Sequence, residues 1–284
     1  MRRFKLFHET IYDFDSEVTL GPHRLLIRPR EGHDIRIESS TLNITPNAIV
    51  KWHRDELDNS VAITRFSTPT RQLKIVSEIV IQHYDEWPLD FLVEDHAVQY
   101  PFVYADEERQ ALSPYLHGGL KEEGLLFDNW LEQFSHDKSI ETYSLLSQIS
   151  KAIGSKNQYR VREEPGVQTP METLQNSSGS CRDYAWLFMC AARRLGMAAR
   201  FVSGYLHAPA TELDYGSTHA WAEVYLPGAG WKGFDPTSQK IAGSHHIPTA
   251  VSLFPDAVPP VSGRFTGRKG EKPALGVRVK VQSI

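Results

Sequence analysis

The feature that most constrains this fold is a glycine- and serine-rich segment that leads directly into an amphipathic apolar run. Ser180 and Asp183 are three residues apart, the spacing of a helix capping box, with aspartate in place of the usual glutamate or glutamine. Apolar residues then recur at helical spacing until Gly196 ends the pattern: Tyr184, Leu187, Phe188, Ala191 and Leu195. The sequence therefore predicts a helix whose first residue is Cys181.

The position of Cys181 suggests chemistry as well as structure. The first turn of a helix carries partial positive charge and free backbone N–H groups, which favour a thiolate over a thiol. The same N–H groups can hold the oxyanion that forms when a thiolate attacks a carbonyl group. A buried cysteine is more often a small apolar residue, and we interpret Cys190 in that way. Cys181 is therefore a candidate nucleophile.

Two further residues could complete a catalytic set with Cys181. His219 lies in a segment, 218–225, that alternates with the period of a β-strand. The turn residues 228–230 follow, so the next strand can pair with it as a hairpin and bring Asp235 towards His219. Asp235 would then orient the imidazole, as in a Cys-His-Asp triad. Two simpler interpretations remain open, namely that His219 packs in a strand and that Asp235-Pro236 only begins a turn.

The first third of the chain has a β pattern. Short segments of period two recur, and turn residues separate them every eight to twelve residues or so, as in an antiparallel sandwich. Its histidines lack metal-ligand spacing, and we interpret them as surface or partly buried residues: His8, His23, His33 and His53. This pattern predicts an N-terminal β domain over residues 1–85.

The remainder of the chain predicts an α+β core and a tail. Proline dipeptides after residue 85 indicate a connector on the surface. Apolar periodicity predicts a helix over 139–153 that stops at Gly154, and a weaker one over about 122–135. We expect the connector and core to occupy 86–245. We expect the tail, 246–284, to contain one final strand near 274–281.

Composition limits the partners. The 284 residues carry a net charge of −4, which gives no support to a nucleic-acid partner. Two cysteines cannot form a disulfide framework, so we expect a reducing compartment. The basic N-terminus is not followed by an apolar stretch of signal length, and no segment has the apolar length of a membrane helix. We therefore expect a cytoplasmic protein without a membrane partner.

The sequence gives no indication of a metal or another cofactor. His245 and His246 form the only adjacent histidine pair, but neighbouring residues rarely share one metal ion. No cysteine or acidic cluster accompanies the pair in sequence. No acidic loop of calcium-ligand spacing is visible either. We therefore expect neither a metal site nor a cofactor.

Four sequence blocks resemble the transglutaminase-like superfamily in its bacterial branch. They are Gly-Ser-Cys-Arg-Asp at 179–183, Ala-Arg-Phe-Val-Ser-Gly-Tyr at 199–205, Thr-His-Ala-Trp-Ala-Glu-Val-Tyr at 218–225 and Gly-Trp-Lys-Gly-Phe-Asp-Pro-Thr at 230–237. The β-rich first third resembles the N-terminal region that accompanies this branch. The resemblance implies a papain-like core in which a nucleophile helix packs on an antiparallel sheet. It also implies that Cys181 is the nucleophile, His219 the general base and acid, and Asp235 the orienting residue.

The implied activity is amide acyl transfer through a thioester. With water as acceptor the protein is a cysteine peptidase or amidase acting on a protein or peptide, which we favour. With an amine as acceptor it is a protein-glutamine transamidase. Two further interpretations stay open, a small-molecule acyltransferase and a non-enzymatic binding scaffold. Four side chains could donate to the oxyanion, and the sequence does not rank them: Gln168, Gln175, Asn176 and Trp130. Substrate and oligomeric state are not indicated.

Overall fold

The structure is a computed structural model, and it describes residues 1–84, 87–117, 124–134, 139–162, 164, 166–207 and 217–284. The first strands are β1 (Arg2–Leu25), β2 (Ile35–Thr45), β3 (Ala48–Arg54), β4 (Ser60–Phe66) and β5 (Thr70–His83). The middle of the chain contains α1 (Asp95–Val98), β6 (Gln99–Tyr100), α2 (Asp106–His117), α3 (Leu125–Glu132), β7 (Ile140–Glu141), α4 (Thr142–Lys156), β8 (Gln158–Tyr159), α5 (Pro170–Asn176) and β9 (Ser178–Gly179). Then follow α6 (Cys181–Arg194), β10 (Ala199–Leu206), β11 (Ser217–Leu226), β12 (Gly230–Asp235), β13 (Lys240–Ile241), β14 (His246–Ser252), β15 (Val261–Thr266) and β16 (Ala274–Ser283).

The N-terminal region is antiparallel and is organised by the long strand β1. Its first half lies between β5 and β16, and its second half lies between β4 and β15. Two sections of sheet thus form on β1. Strand β2 pairs with β5 and extends the first section, and strand β3 pairs with β4 and extends the second. Leu25 and Ala62 of one section share an apolar cluster with Leu73 and Ile75 of the other, so the sheet folds over a common core. This arrangement agrees with the predicted N-terminal β architecture.

The core contains a second antiparallel sheet, in the order β13-β12-β11-β10-β14. Strands β11 and β12 form the predicted hairpin, with a turn closed by a hydrogen bond of 3.0 Å from the Ala229 N–H to the Leu226 carbonyl. Strand β14 pairs with β10, so the core sheet extends beyond residue 245. The tail after β14 then returns to the N-terminal region as β15 and β16.

Helix α6 packs on the face of this sheet formed by β10 and β11, and α4 packs beside it. Residues 184–192 of α6 are all buried, because the helix lies between the sheet and the other helices. The chain therefore has the α+β arrangement that the sequence predicted, with the helix that begins at Cys181 packed on an antiparallel sheet.

Two local predictions were wrong. Gly154 does not end its helix, because α4 continues to Lys156. A Cβ at residue 154 would lie 2.2 Å from the Pro236 carbonyl oxygen, so the glycine is needed for close packing of α4 on the chain after β12. The connector also contains a regular helix, α2, which includes Pro114 in its interior. The proline that suggested irregular structure is accommodated within that helix.

Buried hydrogen bonds join the two regions of the chain. The hydroxyl of Tyr205 in β10 lies 2.9 Å from Nδ1 of His8 and donates to the Ile27 carbonyl at 3.2 Å. The Asn59 side chain pairs with the backbone of Val251, donating to its carbonyl at 2.9 Å and accepting from its N–H at 2.8 Å. These contacts fix the N-terminal sheet against the core sheet that carries the candidate site.

Candidate active site

The N-terminus of α6 is built around one buried carboxylate. Oδ2 of Asp183 accepts hydrogen bonds from the Ser180 N–H at 2.7 Å and from the Ser180 hydroxyl at 2.8 Å. Ser180 is the N-cap and Cys181 the first helical residue, as the capping-box spacing predicted. The first-turn N–H groups have no intrahelical acceptors, so Cys181 lies at the positive end of the helix dipole.

A salt bridge that the sequence analysis did not identify supports this helix start. Oδ1 of Asp183 accepts from the Arg162 guanidinium at 2.6 Å and from the backbone N–H of Gln168 at 2.7 Å. Burial disfavours the charge, but the hydrogen bonds from Ser180, Gln168 and Arg162 hold the pKa of the Asp183 carboxyl below its usual range. The carboxylate thereby ties the segment around 162–168 to the turn that presents the thiol.

The structure brings together the three residues predicted as a triad. Nε2 of His219 lies 2.9 Å from Oδ2 of Asp235, and the interaction with Cys181 helps to raise the pKa of the imidazole. Since Nε2 faces the carboxylate, Nδ1 is the ring atom left for the thiol. Cys181 is partly exposed, whereas His219 is buried and Asp235 is completely buried. The thiol is therefore accessible, and the two groups beside it are shielded from water.

The two buried groups stabilise each other's charged forms. Burial opposes the charge of the imidazolium, but hydrogen bonds and charges from Asp235 and Cys181 raise the pKa of His219 to about 10. Burial likewise opposes the Asp235 carboxylate, but hydrogen bonds from His219 and His246 hold its pKa well below the usual range. The Thr237 N–H donates to the other carboxylate oxygen at 2.9 Å. Asp235 is therefore an ionised acceptor with donors on both oxygens.

His246 is a functional candidate that the sequence analysis missed. Its Nε2 lies 3.1 Å from the same Asp235 oxygen that binds His219, although no acidic cluster accompanies the histidine pair in sequence. The Gly243 N–H donates to His246 Nδ1 at 3.3 Å, which places the ring proton on Nε2. His246 therefore donates to Asp235 and acts as a positioning residue. The nonlocal pairing of β14 with β10 brings it there, and no local sequence pattern signals that pairing.

The cluster of His219, Asp235 and His246 also has the composition of a metal site. Each residue offers one ligand atom, and these atoms lie within 4.8 Å of one another. A metal ion would need the unprotonated Nε2 of His246, whereas the hydrogen bond from Gly243 assigns the ring proton to that atom. The hydrogen bonds therefore fit a proton-sharing cluster better than a metal centre.

Aromatic packing holds the two histidine rings in place. The buried Trp221 ring lies against His219 at a centroid distance of 6.2 Å and an interplanar angle of 29°, and it meets His246 edge-on at 5.1 Å. Gly204 makes room for this indole, because a Cβ there would lie 2.8 Å from it. Trp221 therefore serves as a packing residue that fixes both imidazoles.

The four side chains suggested as oxyanion donors have other contacts. Gln168 donates from its amide to the Ser178 carbonyl at 3.3 Å, and Asn176 donates to the Gln168 side chain at 3.1 Å. Trp130 packs against Phe134, and Gln175 is exposed.

A polar side chain outside the predicted triad that interacts with the thiol is Tyr159, in β8, where Cys181 helps to raise the pKa of the hydroxyl. The parallel pairing of β8 with β9, directly before α6, brings it there. Burial, together with the charge and hydrogen bond of Cys181, raises the pKa of the Tyr159 hydroxyl to about 12. The hydroxyl therefore keeps its proton at neutral pH and can donate it in a hydrogen bond.

A thiol, an imidazole–carboxylate pair and a hydroxyl donor thus meet at one helix N-terminus. The thiol can attack a carbonyl carbon, the imidazole can move a proton, and the hydroxyl can stabilise negative charge on the carbonyl oxygen. This is the set of groups that nucleophilic acyl transfer requires.

Comparison with known proteins agrees with this arrangement. Residues 131–236 match the family model of the transglutaminase-like superfamily, and residues 4–82 match that of the bacterial transglutaminase-like N-terminal region. An uncharacterised protein of Mycobacterium leprae is 31% identical over 102 residues, which cover 34% of this chain and 36% of that protein. An uncharacterised protein of Mycobacterium bovis is 26% identical over 287 residues, which cover 92% of this chain and 87% of that protein.

A solved structure shows the same fold over the full length of the chain. It is that of a candidate cysteine protease from Cytophaga hutchinsonii, with a TM-score of 0.76 and 18% sequence identity, and the match covers 100% of this chain and 91% of that one. Within the residues that the structure describes, no helix is both long and apolar enough to cross a membrane. Through residues 131–236 the chain belongs to the transglutaminase-like superfamily, and a bacterial transglutaminase-like N-terminal region precedes that core.

Proposed function

We propose that this protein is a thiol enzyme that hydrolyses an amide bond of a protein or peptide through a thioester on Cys181. The observation that carries the proposal is the series Cys181–His219–Asp235, in which the buried imidazole interacts with a partly exposed thiol and is hydrogen-bonded to a buried carboxylate. A packing role alone would not require the thiol to be accessible while its two partners are shielded.

The reaction follows from the positions of these groups. The Cys181 thiolate attacks the amide carbonyl carbon, and a C–S bond forms while the carbonyl oxygen takes the negative charge. When this intermediate collapses, the C–N bond breaks and the His219 imidazolium gives its proton to the departing amine. Water then attacks the thioester, His219 accepts a proton from it, and the carboxylic acid leaves with regeneration of Cys181. Asp235 stabilises the imidazolium throughout.

Two donors next to the sulfur are suited to the oxyanion. One is the backbone N–H of Cys181, in the first turn of α6, and the other is the Tyr159 hydroxyl, which keeps its proton at neutral pH. We assign Tyr159 this role in place of the four side chains that the sequence suggested. Loss of one such donor typically reduces kcat by about 100-fold or more.

The first test measures thiol reactivity and needs no substrate. Cys190 is completely buried, so iodoacetamide added to the folded protein reports on Cys181. At about pH 6 a free cysteine is almost entirely protonated. We expect Cys181 to react at least about tenfold faster than a free thiol at this pH, and we expect His219→Ala to abolish the difference. The matched control is His245→Ala, which should retain the wild-type rate. Equal rates in the wild type and in His219→Ala would refute the proposal.

The second test identifies the acceptor. Peptides that contain glutamine and peptides that do not are incubated with the protein, in water alone and with hydroxylamine added. The products are analysed by mass spectrometry. We expect cleavage or deamidation in water, with an acyl adduct on Cys181 that is absent from Cys181→Ala. Products formed only with hydroxylamine or a lysine analogue would support transamidation instead. Reactive Cys181 without turnover of any peptide would contradict peptide hydrolysis and favour a small-molecule acyltransferase.

A further inference from the structure

A cavity of about 750 Å³ lies beside the candidate active site and takes no part in the chemistry described above. Its walls come from α4, from the end of β12 and the segment up to β14, from the end of β10, and from the start of β1. Neither Cys181 nor His219 lines it, but His246 does, and the same residue donates to Asp235. The cavity therefore borders a partner of Asp235 without including the thiol.

The charge of this cavity is opposite to that of the whole chain. The chain has a net charge of −4, yet the cavity is lined by Arg2, Lys151 and Lys240 and by three histidines. No aspartate or glutamate is among the described residues that line it. Lys151 belongs to α4 and Lys240 to β13, so two neighbouring elements each contribute a cation to the wall. An excess of positive charge in a concave site favours an anionic ligand.

The histidines show the same positive field. Nε2 of His245 lies 3.0 Å from the Arg2 guanidinium, and its Nδ1 lies 3.0 Å from Nδ1 of His207. Burial lowers the pKa of His245, and the nearby Arg2 and histidines lower it further. A group whose own protonation is suppressed by neighbouring cations lies where a bound anion would be stabilised.

Hydroxyl donors and apolar walls complete the site. Ser150 is buried, and its hydroxyl has no hydrogen-bond partner, an uncommon condition for a buried polar group in a folded protein. Ser150 lines the cavity together with Ser147, Ser238 and Ser244. The apolar part of the wall comes from Tyr143, Leu206, Phe234 and Ile241. Cations and apolar surface together match a ligand with an anionic head and an apolar body.

We propose that this cavity is a binding site for a small organic anion, in which a phosphate or carboxylate group contacts Lys151 and Lys240 and an apolar body lies against Tyr143 and Ile241. A phosphate or carboxylate oxygen accepts the charge-assisted hydrogen bonds that the two lysines offer. The proposal does not depend on the thiol chemistry, because none of these groups belongs to the series Cys181–His219–Asp235.

The experiment measures binding by isothermal titration calorimetry with the full-length Cys181→Ala protein, so that no reaction can interfere. The probes are phenyl phosphate, benzoate, inorganic phosphate and the uncharged benzyl alcohol. We expect saturable binding of phenyl phosphate or benzoate and none of benzyl alcohol. The stronger of the two anions identifies the head group. Failure of both organic anions to saturate at tens of millimolar would overturn the proposal.

Variants locate the site. Lys151→Gln combined with Lys240→Gln should weaken binding by roughly tenfold or more, the size expected for loss of charged hydrogen bonds. The matched control is Lys51→Gln in β3, an exposed lysine outside the cavity, which should retain wild-type affinity. Equal affinity in the double variant and in the control would refute the assignment, and thermal melting verifies that each variant is folded.

Discussion

The contact between His219 and Asp235 makes folding stability depend on pH above neutrality. Burial opposes the imidazolium, but Asp235 and Cys181 raise the pKa of His219 to about 10, from an ordinary value of 6.5. A group with a raised pKa keeps its proton in the folded state at pH values where the unfolded chain has lost it. Its contribution to stability is therefore complete below pH 6.5 and is lost as the pH rises towards 10.

The perturbation that isolates this effect is Asp235→Asn in a Cys181→Ala background. Cys181 is removed because a proton passed from the thiol to the imidazole would leave the proton count of the folded state unchanged. With Asp235 present, His219 holds one more proton than the unfolded chain just above pH 6.5, so the unfolding free energy should fall by up to about 1.4 kcal/mol per pH unit. With asparagine at residue 235, burial is the main remaining influence on the pKa of His219, and it favours the neutral ring. The slope of the unfolding free energy against pH should therefore vanish.

The assay is urea denaturation between about pH 6 and pH 9.5, a range that spans the change in His219 protonation. Tryptophan fluorescence is the probe, because Trp221 lies against His219. The difference between the two proteins cancels the titration of all other groups. Cys181→Ala combined with His219→Gln serves as a control and should give the same flat profile as Asp235→Asn. Parallel profiles with and without Asp235 would refute the coupling of the two residues.

Three further predictions concern single contacts. His246→Phe keeps a ring against Trp221 but removes a buried donor to the Asp235 carboxylate, so the unfolding free energy in urea should fall by roughly 2 kcal/mol. Arg162→Met leaves the buried carboxylate at the start of α6 with one partner fewer, so stability should fall by about 3 kcal/mol and the β8–β9 amides should exchange faster. Gly154→Ala favours helix formation locally, yet it should destabilise by about 1–3 kcal/mol in thermal denaturation because its Cβ meets the Pro236 carbonyl.

Each of these variants has a matched control. His245→Phe changes the neighbouring ring, whose hydrogen bonds go to Arg2 and His207 instead of Asp235, and should cost less stability than His246→Phe. Arg160→Met removes an exposed arginine that donates to Gln158 and should be nearly neutral. Gly276→Ala places a Cβ in open space and should not destabilise. A control that loses as much stability as its partner would show that the named contact is not the cause.

The local parts of the site could be predicted because each depends on a short sequence pattern. The spacing of Ser180 and Asp183 placed Cys181 at the first position of its helix, and the structure has it there. The turn at 228–230 predicted the hairpin that carries His219 and Asp235 to the same end of the sheet. Both predictions needed contacts over short stretches of chain, the range at which helix caps and tight turns act.

The parts that were missed depend on packing between distant segments. His246 reaches Asp235 because β14 pairs with β10, although the β11–β12 hairpin lies between these two strands in sequence. Arg162 reaches Asp183 although α5 lies between the two residues in sequence. The proline dipeptide at Pro114 indicated an irregular connector, but α2 contains this proline. Gly154 indicated a helix end, but α4 continues past it, and the missing side chain lets α4 approach the Pro236 carbonyl closely. Sequence propensity alone does not predict such tertiary contacts.

The pairing of β16 with β1 has a consequence for how this protein is made. Its ladder joins the first strand of the chain to the last, from Phe4 with Ser283 to Asp13 with Ala274. During translation one edge of β1 therefore stays open until residues 274–283 have left the ribosome, while the segment between the two strands can already begin to fold. An open edge of this length is a template for pairing with another chain. Loss of β16 would thus expose the edge from Phe4 to Asp13 and turn the protein towards aggregation through its N-terminal strand.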